Sequence, residues 1–185
     1  MYPALFLDRD GVLIENVDAY VRSWADVAMF PGAIAALASL RQRDIKIFIV
    51  TNQAVVGKGI ITLAEAHQIN EKLMDAVAAV GGRIDKIYIC PHRSDENCAC
   101  RKPRPGLIRQ AVEEFQIDLD RSFLVGDALT DIQAGQAAGV QTNILVRTGR
   151  GREQEKLAEA LRLPPFRVAE RLEDVIAAYF GTFNC

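Results

Sequence analysis

Ala4-Leu5-Phe6-Leu7-Asp8-Arg9-Asp10-Gly11-Val12 decides the fold. A short apolar run halts at two carboxylates, the pattern of a buried parallel strand that ends at a turn. Ligands of open α/β sheets bind beyond the carboxyl ends of their strands, and Asp8 and Asp10 lie at that end. Alternation along an extended chain sends both carboxylates into one crevice and Arg9 away from it. Gly11 permits a turn or a close approach to a ligand. Two acids so placed favour a hard divalent cation, and Mg²⁺ commonly takes one or two carboxylates plus a substrate phosphate. The functional reading is metal-assisted phosphoryl transfer; the bland one is a turn with solvated acids.

The chain has 185 residues, half of them hydrophobic and a quarter charged, with a net charge of −2. One well-buried domain spanning residues 1–185 is expected. No basic excess suggests nucleic acid. No apolar run approaches a membrane span, and no charged-then-apolar leader opens the chain. A cytoplasmic enzyme, monomeric and acting on a small molecule, is expected.

Outward from the first strand, residues 12–30 lack a clean period. They read either as a flap whose Asp18 and Tyr20 meet a substrate, or as a surface connection with Trp24 as a packing anchor. A helix opened by Pro31-Gly32 is expected over 33–42 and a second strand over 45–50, ending in Thr51-Asn52-Gln53. There Thr51 is either a donor to a phosphate oxygen or a cap. Thr62 and Glu65 form a capping-box pattern for a helix reaching about residue 80, and His67 is an ordinary helix residue. A third strand is expected over 84–89, a helix over 106–115, strands over 122–125 and 140–146, and a small-residue helix over 131–139. Nothing beyond Arg147 carries a further motif. Strands alternating with helices give a three-layer, Rossmann-like α/β domain with a mainly parallel sheet and no large cap domain.

The third strand runs into Cys90-Pro91-His92-Arg93-Ser94-Asp95-Glu96-Asn97-Cys98-Ala99-Cys100. Cys90, His92, Cys98 and Cys100 offer a Cys₃His set for a closed, structural Zn²⁺, against reduced free thiols or a redox pair. Cys185 is left over. Arg101 and Lys102 follow the last ligand at once. Such a run is usually a solvated turn; clamped beside an acidic crevice it reads as an anion site. Gly126-Asp127 ends the fourth strand, with Asp131 four residues on. Asp127 is a candidate Mg²⁺ ligand, and Asp131 a further ligand or an orienting neighbour.

Asp8-x-Asp10-Gly11, Thr51, Lys102 and Gly126-Asp127-x-x-x-Asp131, in this order, resemble the haloacid dehalogenase (HAD) superfamily of phosphatases over about residues 4–146. Thr51-Asn52-Gln53 and the Cys-His loop resemble its zinc-containing branch, which includes phosphatases of D-glycero-D-manno-heptose 1,7-bisphosphate and of histidinol phosphate. The resemblance implies that Asp8 is the nucleophile and Asp10 the acid and then the base. It implies that Asp8, the Asp10 carbonyl and Asp127 hold Mg²⁺, that Thr51 and Lys102 hold phosphoryl oxygens, and that Arg101 recognises substrate. Asn52 and Gln53, beside Thr51, are counted with the substrate-binding residues. Lys58, Val12 and Ala54 stand where the heptose group usually has Arg, Thr and Ser. The zinc loop is short, nearer the histidinol type. The heptose substrate is favoured over histidinol phosphate. Rival classes are a non-enzymatic zinc-stabilised binding domain, a nucleic-acid-end phosphatase and a transferase. The first would have lost one of Asp8, Asp10, Lys102 or Asp127, the second needs a basic surface, and the third needs an acceptor site.

Overall fold

The computed structural model describes residues 1–161 and 163–181; Cys185 lies outside them. Six parallel strands form one sheet: β1 (Ala4–Leu7), β2 (Lys46–Asn52), β3 (Lys86–Cys90), β4 (Phe123–Gly126), β5 (Thr142–Val146) and β6 (Arg167–Ala169). Their order is β3-β2-β1-β4-β5-β6. The direction of winding reverses between β1 and β4, which leaves a crevice beyond their carboxyl ends. Asp8 and Asp127 are the residues that follow these two neighbouring strands.

β1 is buried on both faces, as its unbroken apolar run requires. Leu5 and Leu7 join one core with α1 (Pro31–Ser39), α3 (Leu63–Ala79) and α7 (Leu172–Phe180). Ala4 and Phe6 join the other, with α4 (Gly106–Phe115) and α5 (Leu129–Ala138). The phenyl rings of Phe6, Phe48 and Phe115 pack in series on that second face, with centroids 5.5 and 4.9 Å apart. The short α2 (Ala54–Gly57) and α6 (Gly151–Leu161) stand near the crevice. No segment among the described residues builds a separate cap.

Three elements depart from expectation. α1 begins at Pro31, whose fixed φ and missing N–H suit a first helical turn, but ends at Ser39, short of residue 42. Val140 takes part in the cap that closes α5: Gly139 takes φ +91° and the Val140 amide donates to the Gly135 carbonyl, so β5 begins only at Thr142. β6 was not expected at all. It is three residues long, partly exposed and led by Arg167, a composition with no strand signature. α3 has the capping box: the Glu65 amide donates to Thr62 Oγ1, and the Thr62 amide to Glu65 Oε2.

Candidate active site

Asp8 sits just past β1, its amide tied to the Val125 carbonyl of β4 at 2.9 Å. The chain then turns sharply, and the Leu13 and Ile14 amides return to the Arg9 carbonyl. Gly11 makes the turn at φ +82°. A Cβ there would lie 2.2 Å from Asp127 Oδ2, so only glycine lets the two strand ends approach so closely.

Lys102 reaches the same point from the opposite wall. Its Nζ lies 2.9 Å from Asp8 Oδ1 and 2.6 Å from Asp131 Oδ1, and donates to the Val50 carbonyl at 2.7 Å. The ammonium thus faces two carboxylates and one backbone carbonyl. Burial pulls its pKa down, but the Asp131 and Asp8 carboxylates outweigh burial and hold it charged. Asn52 fixes the Lys102 backbone from both sides, donating to its carbonyl at 3.1 Å and accepting from its amide at 3.0 Å. Asp131, in the first turn of α5, also accepts from the Ala128 amide at 3.0 Å.

Asp8, Asp127 and Asp131 form a buried group whose ligand oxygens all lie within 4.8 Å of one another. Against these three acids stand two cations, Lys102 and Arg150. The Arg150 guanidinium lies 3.0 Å from Asp127 Oδ1, its amide donates to Oδ2 at 2.9 Å, and Asn16 Nδ2 donates to Oδ2 at 2.8 Å. The remaining deficit of positive charge shows at Asp8. Burial, joined by Asp131, Asp127 and Asp10, pushes its pKa up to about 7 even though Lys102 pulls it down. Hard oxygen donors short of positive charge suit a divalent cation such as Mg²⁺. Asp10 offers its side chain elsewhere and could join such a site only through its backbone.

Asp10 is gripped by its neighbours. Arg9 Nε and Nη2 donate to its two oxygens, both at 3.1 Å, and Gln53 Nε2 donates to Oδ2 at 3.0 Å and to Thr51 Oγ1 at 2.8 Å. Arg9 thus does not simply point away: its long side chain folds back onto the adjacent carboxylate. Asn52 and Gln53, expected to touch substrate, spend most of their polar atoms bracing Lys102, Thr51 and Asp10.

Above these residues lies a cleft of about 870 Å³ whose lining includes Asp18, Tyr20, Lys58 and Arg101. Asp18 and Tyr20 lie in the exposed segment after Asn16. Tyr20 has φ +67°, and its hydroxyl accepts from Lys58 Nζ at 2.5 Å. Arg101 donates to the His92 carbonyl at 3.1 Å, which ties the cleft wall to the cysteine loop.

In that loop Cys90, His92, Cys98 and Cys100 converge. The sulfurs of Cys90 and Cys98 are 3.6 Å apart, and those of Cys98 and Cys100 3.5 Å. His92 Nδ1 lies 3.6 Å from Cys90 Sγ and 3.3 Å from Cys100 Sγ. A disulfide needs about 2.05 Å. Tetrahedral zinc, with bonds of about 2.3 Å to sulfur and 2.0 Å to nitrogen, sets edges near 3.8 and 3.5 Å. The four residues fit that ion. Cys90, buried at the end of β3, has its thiol pushed up to about 12 by burial and by Cys100. Burial also opposes ionisation of Cys98, but the Arg101 amide and the two neighbouring thiols bring it down to about 7.

Asn16 belongs to the polar flap of residues 12–30 but is not marked out there from Glu15 or Asp18, and Arg150 lies beyond Arg147, where the sequence shows no motif. Arg9 is absent from the cleft lining, as alternation predicts, but its contact with Asp10 has no signal in the sequence.

A family described as HAD-hydrolase-like matches residues 99–175. The D-glycero-beta-D-manno-heptose-1,7-bisphosphate 7-phosphatase of Bordetella bronchiseptica is 40% identical over 149 residues, covering 80% of this chain and 83% of that protein. The enzyme of the same name from Helicobacter pylori is 41% identical over 145 residues, covering 77% and 82%. The crystal structure of D,D-heptose 1,7-bisphosphate phosphatase from B. bronchiseptica, complexed with magnesium and phosphate, superposes with a TM-score of 0.90 at 37% identity, covering 96% of this chain and 98% of that one. The chain belongs to this family of heptose-bisphosphate phosphatases within the HAD-like hydrolases.

Proposed function

We infer that this chain works as a single-domain, Mg²⁺-dependent phosphatase that removes the 7-phosphate of D-glycero-D-manno-heptose 1,7-bisphosphate. The observation that carries the reading is the buried Asp8 carboxylate, 2.9 Å from Lys102 Nζ and at the floor of an open cleft, in a chain 40% identical to enzymes of that activity.

Asp8 attacks phosphorus, and the bond from phosphorus to the sugar oxygen breaks. Asp10 gives its proton to that oxygen, which leaves as the alcohol, and Asp8 now carries an aspartyl phosphate. The Asp10 carboxylate then takes a proton from water as the water attacks phosphorus, releasing phosphate and restoring Asp8. Lys102 and the Thr51 hydroxyl donate to the phosphoryl oxygens where negative charge spreads. Asp8, Asp127 and the Asp10 carbonyl would hold Mg²⁺, with Asp131 steering Lys102; the bound ion neutralises charge on the transferring group. Cys90, His92, Cys98 and Cys100 would hold a structural Zn²⁺, which supplies rigidity to the loop that presents Arg101 and Lys102. Arg101, Asp18 and Tyr20 face the sugar. The cleft volume lies within the range of small-metabolite sites, about 300–1,000 Å³.

The test is phosphate release with Mg²⁺ from heptose 1,7-bisphosphate and from histidinol phosphate in parallel. Preference for the heptose is expected. A large preference for histidinol phosphate overturns the substrate, and no release from any phosphomonoester overturns the activity.

A further inference from the structure

Arg9 is among the largest fully buried side chains of the protein, and no step above uses it. A buried ion pair is poor evidence for stability, because apolar residues of the same volume commonly serve a core as well or better. Its geometry is more specific than a charge balance needs. The planar fork meets both oxygens of Asp10 at 3.1 Å, and the third corner, Nη1, donates to Asn70 Oδ1 at 3.0 Å. Asn70 is itself buried in α3, between the core residues Ile69 and Leu73, and its Nδ2 has no partner. An amide kept in an apolar face with one end unsatisfied costs stability. The bond it does make goes to Arg9. Gln53 then presses on Asp10 Oδ2 from the far side while holding Thr51.

We propose that Arg9 is a positioning residue: anchored on Asn70, its guanidinium fixes the plane of the Asp10 carboxyl so that it meets the leaving-group oxygen. A bidentate fork blocks rotation of the carboxyl about its last bond, which a lysine ammonium cannot do. The Asp10 side chain stays 24% exposed, on the cleft side. Proton donation requires heavy atoms about 2.6–3.2 Å apart, and displacement of about 1 Å costs on the order of 100-fold. The inference rests on the acid role given to Asp10 under the proposed function.

The experiment compares kcat/KM for heptose 1,7-bisphosphate and for p-nitrophenyl phosphate, since this ratio covers only steps up to departure of the alcohol. A sugar alkoxide needs a proton to leave; p-nitrophenolate does not. Arg9→Met is expected to lower kcat/KM about 100-fold for the heptose and less than about fivefold for the aryl ester, with the heptose loss in kcat rather than KM. Arg9→Lys should restore part of the heptose activity. Should Arg9→Met fail to fold, Asn70→Leu, which keeps the guanidinium but releases its anchor, is expected to give a smaller split in the same direction. Equal losses on both substrates, or none, in a folded variant overturn the proposal. Asp10→Asn separates the two levels. If it shows the split and the Arg9 variants do not, the clamp alone fails; if it leaves both substrates untouched, the acid role beneath the clamp fails.

Discussion

Replacing Lys102 by Met probes the electrostatic centre of the site. Lys102 is 4% exposed, and its ammonium touches Asp8 at 2.9 Å, Asp131 at 2.6 Å and the Val50 carbonyl at 2.7 Å. Methionine fills much of the same volume, so the loss is one of charge. Removing one partner of a buried ion pair costs about 3–5 kcal/mol. For a chain of this size that corresponds to a fall in Tm of roughly 6–20 °C. The cost depends on pH, and Asp8 sets the sign. Burial raises its folded pKa to about 7 from the ordinary 3.8, so between those values the folded protein holds more protons than the unfolded one. Ionisation of Asp8 therefore works against folding as pH rises through that window. Lys102 is the group that counters this. Its loss should cost less near pH 5, where Asp8 is protonated and the contact with Asp131 is what goes, and more at pH 8, where Asp8 of the wild type has ionised beside the ammonium. The assay is thermal unfolding of metal-free wild type and Lys102→Met at both pH values, with phosphate release measured alongside; turnover should drop by about 100-fold or more. A variant as stable as wild type at pH 8 refutes the view that this ammonium neutralises the buried acids, and one destabilised equally at both pH values refutes it for Asp8.

Mg²⁺ should raise Tm more at pH 8 than at pH 5.5, because Asp8 must lose a proton to ligate it and its pKa stands at about 7; a shift independent of pH, seen in melts with and without the ion, counts against Asp8 as a ligand. Protein purified without added metal should carry about one zinc per chain by elemental analysis, and Cys98→Ser should lose it along with most of kcat while the far-UV spectrum is kept. Gly11→Ala should cost about 1–3 kcal/mol and weaken Mg²⁺ binding in titration calorimetry, since the added Cβ would sit 2.2 Å from Asp127 Oδ2; wild-type affinity would show that the two strand ends need no such approach.

The floor of the site was legible because it is made by the sheet. Continuous apolar runs that stop at Asp8, Thr51 and Asp127 mark buried strand ends, and side chains at strand ends have few directions open to them. The cysteine loop was legible for another reason, since three cysteines and a histidine in one short loop leave few ways to avoid meeting. What escaped depends on contacts distant in sequence. Arg150 lies 23 residues beyond Asp127 in a loop with no period, yet its backbone and guanidinium both reach that carboxylate. β6 pairs with β5 although its residues are mostly exposed, so the neighbouring strand, rather than local preference, makes it a strand. Arg9 shows the limit of alternation: the rule places a Cβ, but a side chain with several rotatable bonds can still return to its neighbour.

The three departures from the heptose pattern fall where that division between floor and wall predicts. Val12 is packed in the core beneath the turn, away from the cleft. Ala54 opens α2 and lines the cleft wall. Lys58 stands at the rim, bonded to the Tyr20 hydroxyl with its ammonium 4.9 Å from the ring centroid, so the rim keeps a positive charge despite the exchange of Arg for Lys. Lys58 is bonded to Tyr20, and none of the three has a hydrogen bond or ion pair with Asp8, Lys102, Asp127 or Asp131 among the described residues. On the proposed function, the strand ends would set the chemistry and the loops which alcohol carries the phosphate. Changes at Ala54 or Lys58 should reorder substrates through KM and leave the dependence on Mg²⁺ as it was.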